Sequence, residues 1–152
     1  MKVQQLIDGL LNELHLVSLT PDEKGIYEIV FDDGLELQLL TIGGSHLLLR
    51  SRLTQLPQRE EEQEAVILDY LRHNLAGLRD QTASLSLDRN EQCIWLAQTH
   101  RADRLTVLQL CDSLENFVNS LAWWQMFRTH REGKAAIRQD AFAFGATHLI
   151  RP

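Results

Sequence analysis

A change of hydrophobic period near residue 26 constrains this chain more than any other feature of its sequence. Before it, Val3, Leu6, Ile7, Leu10, Leu11 and Leu14 recur at the i, i+3, i+4, i+7 spacing of an amphipathic helix, which predicts a helix over 3–16. Thr20-Pro21-Asp22 and Gly25 break the chain. From 26 to 53 the period is two, and Ile26 to Phe31, Leu35 to Thr41 and His46 to Leu53 read as strands. Asp33-Gly34 predicts a type I′ hairpin turn, which needs positive φ at both central positions, and Gly43-Gly44 marks the next turn. Strands joined this closely pair antiparallel, as a meander.

The sequence QREEEQE at 58–64 fits the acid-rich first turn of a second helix, where the helix dipole favours negative charge. That helix continues through Val66, Ile67, Tyr70, Leu71 and Leu75 and stops near Gly77; its apolar positions cover more than one face, so it has two partners to bury against. Ala83 to Leu87 and Cys93 to Ala97 form two short strands around Asp88-Arg89-Asn90-Glu91. A long helix follows from about 103, with Val107, Leu110, Cys111, Leu114, Phe117, Val118, Leu121 and Trp124 on its inner stripe. The fold class is therefore α+β: a twisted antiparallel sheet of about five strands with three helices, in the order helix-strand-strand-strand-helix-strand-strand-helix. From Arg128 to Pro152 the periodicity is lost, so 1–127 is expected to be the domain, and 128–152 a mobile tail or an appendage that orders against something else.

Composition narrows the function. The chain has 152 residues, 44% of them apolar, enough for one core without disulfide staples. Cys93 and Cys111 lie in different predicted elements and lack CxxC spacing, so free thiols are expected. Apolar runs such as 65–68 and 121–124 fall far short of the ~20 residues of a membrane span, and no secretory signal is expected. A net charge of −6 argues against sequence-independent nucleic-acid binding. The charge is uneven: residues 1–127 hold ten Lys/Arg against nineteen Asp/Glu (−9), and 128–152 hold five against two (+3).

No catalytic motif emerges. His15, His46, His73, His100, His130 and His148 are scattered, without HExxH, HxH or a carboxylate at ligand spacing, so no metal is expected. GxSxG, GxGxxG and GxxxxGK[ST] are absent, and neither cysteine has a neighbouring base. Asp32 and Asp33 are turn residues, and helical spacing places Trp124 in the core. No cofactor is expected.

What remains is surplus hydrophobicity on the strands. Leu47, Leu49 and Leu53 alternate with Leu48, Arg50 and Arg52; Leu35, Leu37 and Leu39 alternate with Glu36, Gln38 and Leu40; Ile26 and Val30 alternate with Tyr27, Ile29 and Phe31. One set packs under the helices. Ile26, Val30, Leu40 and Leu48 are left on a partly exposed apolar face, a candidate protein-binding surface.

In this arrangement the sequence resembles the class I chaperones of bacterial type III secretion, the Tir-chaperone family. The resemblance covers about residues 3–127. It rests on Leu10-Leu11-Asn12-Glu13-Leu14, on Phe31-Asp32-Asp33-Gly34-Leu35-Glu36-Leu37, and on Leu47-Leu48-Leu49-Arg50-Ser51-Arg52-Leu53 followed by Pro57. Leu71-Arg72-His73-Asn74-Leu75-Ala76-Gly77 and Leu114-Glu115-Asn116-Phe117-Val118 with Trp124 complete it. The resemblance implies a non-catalytic homodimer in the bacterial cytoplasm that binds the N-terminal region of secreted effectors in extended form. It also implies delivery to the secretion apparatus and its ATPase, without use of nucleotide. In the family the central helix, with the strand that follows it, forms the two-fold interface, which makes Ile67, Tyr70, Leu71, Asn74 and Leu78 the interface candidates, the alternative for each being the core of its own chain. The tail departs from the family pattern.

Two other readings stay open on the residues alone. One is a small α+β ligand-binding domain or enzyme with an unrecognised site between sheet and helices. The other is an adaptor whose basic tail docks on an acidic partner.

Overall fold

In the computed structural model the backbone is described for residues 2–77 and 82–149, and the side chains for 2–77 and 82–134. The elements are α1 (Lys2–Glu13), β1 (Tyr27–Val30), β2 (Glu36–Ile42), β3 (His46–Gln55), α2 (Glu60–Gly77), β4 (Ser84–Asp88), β5 (Cys93–Arg101) and α3 (Val107–Leu149), with a 3-10 turn at Ala102–Arg104. The sheet runs β1-β2-β3-β5-β4, with every neighbour antiparallel, so β1 and β4 are its edges. The order of elements is the one the periodicity predicts.

Element ends differ from the sequence-based expectation, each for a local reason. Helix α1 stops at Glu13 rather than 16 because His15 adopts a left-handed φ of 57°. The N–H of Leu16 then reaches back to the Leu11 carbonyl at 2.7 Å and that of His15 to Asn12 at 3.1 Å, a Schellman ending. Helix α3 starts at Val107 rather than 103 because Thr106 and Gln109 form a capping box. The Gln109 N–H donates to Thr106 Oγ1 at 3.3 Å, and the Thr106 N–H donates to Gln109 Oε1 at 3.0 Å. Strand β5 runs on to Arg101 because β3 supplies a partner as far as the pair His46↔Arg101, although Gln98 to Arg101 carry no apolar alternation.

The first hairpin corrects the type I′ expectation. Only Gly34 has positive φ (82°); the Phe31 N–H donates to the Leu35 carbonyl at 2.8 Å and the Gly34 N–H closes a turn on the Phe31 carbonyl at 2.9 Å, so residues 32–34 form the loop beyond that pair, with glycine in the left-handed position. The doubly left-handed turn is at Gly43 (58°) and Gly44 (72°), closed by the Ser45 N–H on Ile42.

One face of the sheet carries the core. Leu37, Leu39, Leu47, Leu49 and Leu96 are almost fully buried under Ile7 and Leu10 of α1 and Leu110, Phe117 and Trp124 of α3. Gly9 lets α1 cross the start of α3 closely: a Cβ there would lie 2.6 Å from a Val107 methyl. Val66 and Tyr70 anchor α2, and the Tyr70 ring stacks on Trp124 with centroids 5.5 Å apart. The backbone of α3 continues as helix through 128–149. Arg131 joins this stretch to α2, its Nε 3.0 Å from Asp69 Oδ2.

Candidate functional site

The face of the sheet turned away from α1 and α3 carries all four residues that strand alternation predicts. Val30 is 67% exposed, and Ile26, Leu40 and Leu48 are half-buried. Register places Leu40 directly opposite Leu48, and Ile26 precedes Tyr27, the partner of Leu39, so Ile26, Leu40 and Leu48 lie side by side across three strands. Val30 stands apart, opposite Glu36.

A polar ladder separates the two. Gln38 donates from Nε2 to Glu28 at 3.1 Å, and Arg50 donates from Nε to Gln38 Oε1 at 2.9 Å. The Arg50 guanidinium then lies 4.3 Å above the Trp95 ring, with that of Arg52 at 5.2 Å. Such cation–π contacts hold both arginines flat on the sheet. Arg52 is fixed further by a 2.8 Å ion pair with Glu91. A bulge at Leu53, between the pairs Arg52↔Trp95 and Thr54↔Ile94, follows directly on β3.

Two clefts flank Trp95. Val30, Glu28, Glu36 and Arg52 line one of about 310 Å³. Leu48, Arg50, Leu87 and Asp88 line another of about 400 Å³. Trp95 belongs to both and was not among the sequence-predicted residues. The alternation Cys93, Trp95, Ala97 along β5 is the signal that places it on this face.

Helix α2 presents two faces. Val66 and Tyr70 pack inward, with Tyr70 only 2% exposed within its own chain, and Ile67 packs partly on the same core. Leu68, Leu71 and Leu75 form an exposed stripe at i, i+3, i+7, and Asn74 is half-buried beside it. Of the interface candidates, then, Leu71 lies on the open stripe, Ile67 and Asn74 flank it, and Tyr70 belongs to the core of its own chain. Leu78 lies outside the described residues.

Burial pushes the Cys93 and Cys111 thiols up from their ordinary values and the His73 and His100 imidazoles down. A thiol held protonated is a poor nucleophile. Among the described residues no group of three or more His, Cys, Asp or Glu could hold a metal ion, and no helix is long and apolar enough to cross a membrane.

The model of the Tir chaperone protein (CesT) family matches residues 5–125. The chain belongs to this family. A search of curated proteins gave no match to this CesT-family chain. Solved structures share its fold. A chain of the HopA1–SchA chaperone–effector complex has a TM-score of 0.61 at 19% identity, covering 82% of this chain and 94% of that one. A chain of the ExsC–ExsE complex has 0.60 at 23% identity, covering 82% and 92%. A chain of the ExoU–SpcU complex from the type III secretion system of Pseudomonas aeruginosa has 0.59 at 18%, covering 78% and 94%. The match ends at residue 125, just before Arg128, so the basic segment of this CesT-family chain lies outside it.

Proposed function

We propose that this chain is a type III secretion chaperone of the bacterial cytoplasm, which binds the N-terminal segment of a secreted effector and keeps it extended. The family match over residues 5–125 carries this reading. The outer sheet face supplies the means, because Leu40 and Leu48 lie on one side of the Arg50–Trp95 ladder and Val30 on the other.

An extended peptide gains main-chain hydrogen bonds along an edge strand, and here β1 and β4 are the edges. Its alternate side chains enter the clefts beside Trp95, which read size and charge. Ordering the segment offsets several kcal/mol of the gross interaction, on the order of 2–5, so tight binding requires a large wrapped surface. A homodimer doubles that surface. We assign its two-fold contact to the Leu68, Leu71 and Leu75 stripe with Ile67 and Asn74 beside it.

The function is binding and release rather than catalysis. No nucleotide is used by the chain; release falls to the ATPase of the secretion apparatus, which strips the effector away. Co-expression with an effector encoded nearby tests the proposal. The expected product is a soluble complex in which the effector's N-terminal segment resists protease. Failure with every neighbouring effector overturns it.

A further inference from the structure

The cleft between α2 and the C-terminal part of α3 carries chemistry that the sheet face does not use. It has a volume of about 540 Å³, and its walls hold three cations, Arg72, Arg131 and Lys134, against one carboxylate, Asp69. Asp69 is already bonded to Arg131 at 3.0 Å. Arg72 and Lys134 are exposed and have no ion-pair partner among the described residues. In a chain of net charge −6 this is a local reversal of sign.

The reversal is built rather than scattered. Phe127, Arg131 and Lys134 stand at i, i+4, i+7, on one face of α3, and the Asp69 contact holds that face along α2. His130 adds a further imidazole to the wall. At the inner end Phe127 stacks on His73 with centroids 4.0 Å apart, giving an aromatic floor beneath the cations. On the α2 wall, Ala76 adds an apolar contact beside Arg72 and His73. His130, Arg131 and Lys134 all follow residue 125, where the family match ends.

A ligand that satisfies Arg72 and Lys134 while covering Phe127 and Ala76 must carry carboxylates and apolar groups on one chain. We infer that the cleft is a docking site for an acidic peptide segment of a partner protein, separate from the sheet face. Its carboxylates pair with Arg72 and Lys134, the arginine able to bind bidentately, and an apolar side chain packs against Phe127. A nucleic acid is the poorer occupant, because a long polyanion has to pass over a body of charge −9 in residues 1–127, whereas a short segment needs only the cleft.

The test is fluorescence anisotropy on the full chain with a fluorescein-labelled peptide of three Glu-Asp-Leu repeats. The control is the same peptide with Gln and Asn in place of the acids. Saturable binding of the acidic peptide, weakened by salt and at least tenfold tighter than the control, is expected. Arg72→Glu with Lys134→Glu should lower the affinity at least tenfold, and Leu48→Asp on the sheet face should leave it unchanged. Lys134→Glu alone, at an exposed position of the cleft wall, keeps the test valid if the double variant fails to fold, and should lower affinity several-fold. Equal binding of both peptides, or unchanged affinity in the charge-reversed chain, overturns the proposal. So does a single-stranded oligonucleotide that binds more tightly than the peptide. Light scattering on the same samples separates loss of the cleft from loss of the dimer.

Discussion

The imidazole of His73 lies face to face with the indole of Trp123, centroids 3.8 Å apart and planes 18° from parallel. Phe127 covers its other face at 4.0 Å. A ring so enclosed gives up water that its charged form needs, and burial lowers its pKa below the ordinary histidine value. The unfolded chain then binds a proton more readily than the folded one. Stability is fully present above the unfolded value of about 6.5 and is lost as pH falls through the lowered folded value. His100 on β5 acts with the same sign, for the same cause. Urea midpoints should fall between pH 7.5 and pH 5, and His73→Phe should flatten the decline in part, leaving the His100 share. An unchanged slope in that variant would refute the assignment.

Thr106 and Gln109 cap each other at the start of α3. Thr106→Ala removes the acceptor for the Gln109 N–H, and should cost about 1 kcal/mol of folding stability, read from chemical denaturation. The loss should be confined to stability, because Thr106 lies on neither the sheet face nor the α2 stripe.

Leu48 sits opposite Leu40 on the outer sheet face. Leu48→Asp places a carboxylate where an effector side chain is to pack, so effector capture in co-expression should be lost. The melting temperature should change little, since the side chain is only half-buried and the charge can reach water. An unaffected complex would mean that the effector binds elsewhere.

Leu71, 49% exposed, occupies the centre of the open α2 stripe. Light scattering of the wild-type chain should give about twice 17.5 kDa. Leu71→Asp should shift the mass toward one chain, since a buried interface does not accept an unpaired carboxylate. A wild-type mass of one chain would remove the dimer from the proposal.

Trp124 closes the core against α2. Its ring is 1% exposed and stacks on Tyr70. Trp124→Ala should destabilise the fold by about 3–5 kcal/mol, from lost burial and the cavity left behind. A denaturation midpoint close to wild type would show that α2 is held by other contacts.

Local chemistry was legible in the sequence wherever neighbours along the chain decide the outcome. The period-two stretch from 26 to 53 and the helical stripe of α1 gave the order of elements, because side-chain direction follows backbone type within a few residues. The same alternation placed Ile26, Val30, Leu40 and Leu48 on the outer face. Tertiary structure decided what distant segments do to each other. The division of that face by the Glu28–Gln38–Arg50 ladder depends on strand register, and Trp95 joins it only through pairing across β3 and β5. Tyr70 went to its own core because Trp124, 54 positions away in the sequence, was there to stack on it. The positive charge after residue 127 became a cleft only when Asp69 held Arg131 against α2. Sequence spacing specifies which face a residue occupies; only folding brings the opposite faces of distant elements within contact distance.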